Sequence, residues 1–246
     1  MIHLGLLGSS GRMGTLIAQL IQSEFQADVK IVASARRGDS LESLLSTDVI
    51  IDVSLPAVVA QLASLAIKKS TNLPKFLIGS TGWTPETHES IKALSGLTPV
   101  LVSSNFSVGI YALSSMLKDY SPLFKKLGYT PVILESHHRH KKDSPSGTAK
   151  SLQKSIDPVH PDRIQTHSVR AGEVIGDHAV TFFSAGDQIT LSHHAQDRSI
   201  FARGAIQVAQ WLAQSPHSPN QILGMEDYFA SLKPQSLGAL PHGKPI

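Results

Sequence analysis

The first 22 residues constrain this chain's fold more than any other stretch. Residues 3–7 are a short, mostly apolar run that reads as a buried strand. Gly8-Ser9-Ser10-Gly11-Arg12-Met13-Gly14 follows at once, and then the helical run TLIAQLIQ at 15–22. A strand, a glycine-rich turn and a helix open a dinucleotide-binding βαβ unit. The glycines let the backbone approach a pyrophosphate, whose charge rests on the helix N-terminus. The spacing Gly8-x-x-Gly11-x-x-Gly14 is not the commonest one, and a plain tight turn would also use glycine.

The pattern repeats. Residues 29–35, 49–54, 76–79 and 100–103 read as further strands, with helices over 56–69 and from about 85. Alternating strands and helices predict a parallel, doubly wound sheet whose ligand lies beyond the C-terminal strand ends. Those ends carry Gly8 to Met13, Arg36-Arg37, Gly79-Ser80-Thr81-Gly82 and Ser104-Asn105-Phe106. After the second strand, a carboxylate would take ribose hydroxyls and favour NAD, whereas arginine accepts a 2′-phosphate. Here Arg36 and Arg37 stand there, with no acid until Asp39. Two solvated surface arginines are the plainer alternative.

The second half changes character. A helix is expected over 109–127 and a strand over 131–136. Three β-prone stretches, 164–169, 180–184 and 188–192, follow without intervening helices and predict an antiparallel or mixed sheet. Helices over 202–214 and 221–232 close the chain, and the tail PHGKPI is expected to be mobile. The switch places a domain boundary near residues 105–109. The chain has 246 residues, 41% of them hydrophobic, enough for one large domain or two modest ones. No apolar run approaches a membrane span. The lack of cysteine excludes disulfides and thiolate metal sites and fits a cytoplasmic protein. A net charge of +3 suits an anionic metabolite and falls short of a nucleic-acid binder's basic stripes.

Residues 135–149, ESHHRHKKDSPSGTA, carry the most chemistry. His137, His138, Arg139, His140, Lys141 and Lys142 precede Ser146-Gly147-Thr148, at the expected start of a helix. Lysine and arginine supply fixed charge. Histidine holds and releases a proton near neutral pH. A helix N-terminus offers unpaired N–H groups. Together they suit a small, doubly charged anion that must also receive a proton. A solvated basic loop is the bland alternative, but the run lies between an apolar strand and a helix start, where ligands bind. A metal site ranks low, because Arg139, Lys141 and Lys142 would repel a cation. Nucleic acid ranks low as well, since aromatics are not interleaved and Asp143 interrupts the run. The second pair, His193-His194, reads as structural or at the edge of the site.

This segment resembles the signature of the dihydrodipicolinate reductases, also called 4-hydroxy-tetrahydrodipicolinate reductases, of the diaminopimelate route to lysine. Similar segments run along nearly the whole chain: GSSGRMG, Gly79-Ser80-Thr81-Gly82, SSNFSVG at 103–109, RAGEVIGDH at 170–178 and FARGAIQVAQWL at 201–212. The resemblance implies a Rossmann-like nucleotide domain over 1–107 completed by 200–246. It also implies a substrate and tetramerisation domain of α+β type over 108–199, hence a homotetramer. It implies hydride transfer from a nicotinamide cofactor to a cyclic, unsaturated dicarboxylate. His137 would be the proton donor and Lys141 its catalytic partner. His138 and the Ser146-Gly147-Thr148 helix start would bind substrate carboxylate. Gly8, Ser9, Ser10, Gly11, Arg12, Met13, Gly79, Ser80, Thr81, Ser103, Ser104, Asn105 and Phe106 would hold the cofactor.

Family members often have a longer connection between the second and third strands, an acid at Arg36 and a threonine at Ser80. The arginines make NADPH the expected cofactor, with NADH possible. Two other classes fit the pattern less well. One is another two-domain nicotinamide enzyme acting on a small acid. The other is a non-catalytic NADP-binding regulator, which would have no use for a proton donor beside an anion cradle.

Overall fold

The structure, a computed structural model, describes residues 1–232. The expected mobile tail therefore lies outside the described residues. The chain opens with β1 (Ile2–Leu7) and α1 (Arg12–Leu20), then β2 (Val29–Ala35) and β3 (Val49–Asp52). α2 (Pro56–Lys69), β4 (Lys75–Ile78), α3 (Pro85–Ser95) and β5 (Val100–Val102) follow. All four residues of β3 are buried, as expected for a parallel strand covered on both faces. α2 and α3 each begin at a proline, which suits a first helical turn. The Thr84 hydroxyl accepts from the Thr87 N–H, 3.3 Å away, and caps α3.

The next unit holds α4 (Val108–Lys126), β6 (Thr130–His137), α5 (Gly147–Ile156), β7 (Gln165–Arg170), β8 (Asp177–Phe183) and β9 (Gln188–His194). These strands form a sheet ordered β7-β6-β8-β9. β6 and β7 are parallel and the other pairs antiparallel, so the sheet is mixed. One face packs under α4 and α5 through Leu113, Leu117, Ile133, Leu152, Val180 and Phe182. Along β6 the buried positions Ile133, Glu135 and His137 alternate with more exposed ones, as strand geometry requires. The outer face carries Leu134, Val169 and Phe183, all exposed.

The chain then returns to the first sheet. α6 (Ser199–Gln214) buries Ala202, Ala205 and Ile206 in one cluster with Leu4, Leu6 and Ile17. A Cβ on Gly204 would lie 1.8 Å from the Phe106 carbonyl oxygen, so only glycine lets α6 approach this closely. Lys75 Nζ donates to the carbonyls of Leu212 (2.8 Å), Ala213 (3.0 Å) and Ser215 (2.7 Å), which closes the C-terminal end of α6.

The expected final helix over 221–232 needs correction. Ile222–Leu223 form β10, and α7 starts only at Met225 and runs to Leu232. β10 pairs with β5 in parallel, Ile222 beside Val100 and Leu223 beside Leu101. Two residues carry no readable period. Their strand character comes from a distant partner. The completed sheet is ordered β10-β5-β4-β3-β1-β2. Strand order reverses between β1 and β3, where such sheets bind their ligand. The architecture is thus a doubly wound parallel sheet plus a mixed second sheet.

Candidate active site

The turn after β1 is built for close approach. Gly8 has φ 89°, and a Cβ there would lie 2.9 Å from the Val53 backbone. A Cβ on Gly14 would lie 2.3 Å from the Gly8 carbonyl oxygen. Gly11 caps α1 without any side-chain acceptor, which leaves the first-turn N–H groups for an anion. Arg12 and Met13 form that first turn. Ser9, Ser10 and Arg36 line a cleft of about 390 Å³ beside it. Arg36 and Arg37 are exposed, and the Arg36 N–H donates to Asp39 Oδ2 at 2.8 Å. The turn, the bare helix start and the cleft fit a dinucleotide.

The ends of β3, β4 and β5 pack together. A Cβ on Gly79 would meet the Phe106 ring at 2.7 Å and the Asp52 carbonyl at 3.0 Å. Ser80 is buried and its Oγ accepts from Trp83 Nε1 at 3.4 Å. Ser103 Oγ donates to the Asn105 carbonyl at 2.5 Å. Asp52, absent from the residues expected at the site, is fully buried in their midst. It accepts from the Ser54 N–H (2.9 Å) and from the Ser54 hydroxyl. Burial pushes its carboxyl up, against the weaker pull of these donors and of Ser80.

The main cleft, about 450 Å³, lies where these ends meet the second sheet. His137, Lys141, Ser146, Gly147 and Thr148 line it from one side, and Thr81, Ser104 and Asn105 from the other. Asn105 Nδ2 donates to Thr148 Oγ1 at 3.2 Å and links the two sides. Ser146 caps α5, its Oγ accepting from the Ala149 N–H at 3.2 Å. Lys141 Nζ pairs with Asp143 Oδ1 at 2.8 Å on the cleft wall. His138 is half-buried one residue past the end of β6, with its ring 6.3 Å from that of His140, and is not among the residues lining the cleft. Arg36 and Arg37 do not line it either and stand apart at the end of β2.

Behind the cleft lies a network that residue-by-residue inspection of the sequence missed. Glu135 is fully buried. Its Oε2 accepts from His137 Nδ1 and from Arg170 (3.0 Å). Its Oε1 accepts from Arg170 (2.7 Å) and from the Ser146 N–H (3.3 Å). Burial pushes Glu135 up, but the bonds from Arg170, Ser168 and His137 outweigh it and hold the carboxyl down at about 2. Burial lowers His137, against the pull of Glu135, and Lys141 and Arg170 lower it further. The His178 ring meets that of His137 edge-on at 5.2 Å, and its Nε2 lies 3.3 Å from Ser146 Oγ. Burial and then His137 push His178 down to about 4. Glu135, His137 and His178 each bring a ligand-type atom within 4.8 Å of the others. Arg170 already grips both Glu135 oxygens there, and its charge opposes a cation. The signal was present: Glu135 opens the basic segment, and Arg170 and His178 begin and end RAGEVIGDH.

Comparisons with known proteins agree along most of the chain. Residues 2–106 match the family model "Dihydrodipicolinate reductase, N-terminus", and residues 109–229 match "Dihydrodipicolinate reductase, C-terminus". The chain is 33% identical over 255 residues to a 4-hydroxy-tetrahydrodipicolinate reductase of Campylobacter jejuni subsp. doylei, covering 95% of this chain and 98% of that one. It is 34% identical over 247 residues to the enzyme of that name from Rickettsia rickettsii, covering 93% and 99%. Among solved structures, a dipicolinate-bound dihydrodipicolinate reductase from Paenisporosarcina sp. TG-14 superimposes with a TM-score of 0.76 at 22% identity, covering 91% and 97%.

Proposed function

This chain belongs to the dihydrodipicolinate reductase family, and from that premise we propose how its residues divide the work of reduction. The reaction is hydride transfer from NAD(P)H to a cyclic unsaturated dicarboxylate, 4-hydroxy-tetrahydrodipicolinate or dihydrodipicolinate. The product is tetrahydrodipicolinate, on the route to diaminopimelate and lysine. One observation carries the division of roles. His137, Lys141 and the α5 N-terminus meet Thr81, Ser104 and Asn105 in a single cleft.

When bound, the nicotinamide supplies hydride to a ring carbon. The rest falls to this chain. The N–H groups of Gly147 and Thr148, at the N-terminus of α5 behind the Ser146 cap, take one substrate carboxylate. Lys141 neutralises charge at the cleft wall. His137 donates a proton to the atom that gains negative charge, a contribution of typically about 10² to 10⁴-fold. His138 sits outside the cleft lining, and we assign it to the rim as a carboxylate contact. Gly8, Ser9, Ser10, Gly11, Arg12 and Met13 hold the pyrophosphate. Gly79, Ser80, Thr81, Ser103, Ser104, Asn105 and Phe106 hold the nicotinamide side. Arg36 and Arg37 receive a 2′-phosphate, so NADPH is preferred and NADH accepted.

The division into 1–107 with 200–246, against 108–199, is supported by the return of α6 to the first sheet; its part beyond residue 232 lies outside the described residues. Leu134, Val169 and Phe183 on the uncovered face of the second sheet support assembly through that unit. We place the working enzyme in the cytoplasm as a homotetramer of about 105 kDa, four times the 26.4 kDa chain. Among the described residues no helix is long and apolar enough to cross a membrane. Light scattering at micromolar concentration checks the mass.

His137→Ala and Lys141→Ala should each lower kcat by about 10² to 10⁴-fold and leave the Kd for NADPH near wild type. Turnover at the wild-type rate in both variants would remove the assignment.

A further inference from the structure

Glu135 has no contact with solvent, yet its hydrogen bonds reach two parts of the active site, the His137 ring and the start of α5 at Ser146. We propose that Glu135, gripped by Arg170, is the positioning residue that fixes His137 with Nδ1–H toward the carboxylate, so that the proton for the substrate is carried and released at Nε2. The inference rests on the reading of His137 as proton donor and adds what sets its orientation and tautomer.

The argument begins in the strand. Residues two apart on β6 share a face, which places Glu135 directly behind His137. β7 runs parallel alongside, with Arg170 in register with His137, and reaches back to Glu135 with two nitrogens. A bidentate guanidinium holds a carboxylate ionised. An ionised carboxylate only accepts, so the ring nitrogen facing it must be the donor. The neutral ring therefore carries its proton on Nδ1. Nε2 is left as a lone pair, or as the second N–H once the ring is charged. Gly176 keeps the space beside it open, since a Cβ there would lie 3.2 Å from Nε2.

The same carboxylate accepts from the Ser146 N–H. One buried group thus fixes both the acid and the start of the anion cradle, and with them the distance between the two. The charges facing the ring come from several elements. Glu135 on β6 favours the imidazolium, whereas Lys141 of the loop and Arg170 on β7 oppose it; His178 on β8, held down at about 4, faces the ring as a neutral imidazole. Asp143 pairs with Lys141, and His193 and Asp177 act on His178. A dicarboxylate beside Lys141 shifts this balance toward the charged ring, so proton loading follows substrate binding. In the step itself the Nε2–H bond breaks and its electron pair stays on the imidazole. The proton bonds to the pair left on the substrate after hydride addition. The ring ends neutral with Nδ1–H unchanged, and solvent reloads Nε2.

The test is ¹⁵N-histidine NMR of the wild-type chain, with His137 assigned by its loss in His137→Asn. Neutral His137 should be the Nδ1–H tautomer. Glu135→Leu/Arg170→Met replaces the ion pair by apolar groups and removes the acceptor. It should show the Nε2–H tautomer as well, with kcat down on the order of 10 to 100-fold and the Kd for NADPH unchanged. An Nε2–H tautomer in the wild type overturns the proposal, whether or not the double variant folds. So does a folded double variant with wild-type tautomer and kcat. If His137→Ala kept its turnover, the proton-donor reading would fail whatever the tautomer. If His137 is essential and the tautomer is Nε2–H, only the positioning role fails.

Discussion

Asp52 at the nucleotide end and Glu135 at the substrate end are both fully buried carboxylates, and the fold drives their charge in opposite directions. Burial pushes both up. Around Asp52 the partners are hydroxyls and amides of Ser54 and Ser80, too weak to reverse that push. Around Glu135 the first partner is a guanidinium, and the carboxyl ends at about 2. Burial sets the cost of a charge, and the partner decides whether the charge is kept. The difference suits the two ligands. At Asp52 the fold makes negative charge costlier than in water. An ionised Glu135 holds a histidine and an arginine in place before the substrate arrives.

The largest expected effect comes from removing the arginine that grips buried Glu135. Arg170→Met leaves Glu135 uncompensated and should cost about 3–5 kcal/mol of stability in urea unfolding at pH 7. Glu135→Leu/Arg170→Met should recover most of it. Acid should tell the same story. The folded pKa of Glu135 is depressed, so its contribution is complete above 4.5 and is lost as pH falls from there toward about 2. The wild type should therefore lose more stability than the double variant across that window. Equal losses would mean that Glu135 is not ionised in the folded protein.

A second contrast sets half-buried Arg170, gripping a buried carboxylate, against exposed Arg36 and Arg37. Exposed charges are screened, so the two loop arginines should favour NADPH over NADH by about 10-fold, or ~1.4 kcal/mol, with the gap narrowing as salt rises. Replacing both with alanine should erase most of the gap in KM and hardly alter NADH use. A wild-type preference for NADH would make them ordinary surface charges.

The smallest effect belongs to Asp52→Asn. The variant should lie within ~1 kcal/mol of wild type near pH 4, because the raised carboxyl is more fully protonated there than an ordinary aspartate. The folded pKa of Asp52 is raised, so the wild type loses stability as pH climbs from its unfolded value of ~3.9 through the folded one. Melting temperatures followed from pH 4 upward should move in favour of the variant. Movement the other way would show that the fold lowers the pKa of Asp52 instead of raising it.

Local pattern made much of the molecule legible. The strand–turn–helix opening, the α2 start at Pro56 and the Ser146 cap all follow from neighbours within a few residues. The two residues of β10 had no such period, and they become a strand only because β5 offers an open edge. The site divides the same way. His137, Lys141 and the Ser146-Gly147-Thr148 start announce an acid, a cation and an anion cradle by residue type and spacing.

What turns them into one cleft is the Asn105 bond to Thr148 and the register that sets Arg170 beside His137. By itself the sequence determined the parallel nucleotide fold, the family and the chemical types of the site, because periodicity, caps and turns act between near neighbours. Only the tertiary structure decided which carboxylate stands behind His137 and in which direction each buried acid is shifted. Both depend on strand pairing and on desolvation by groups far apart along the chain.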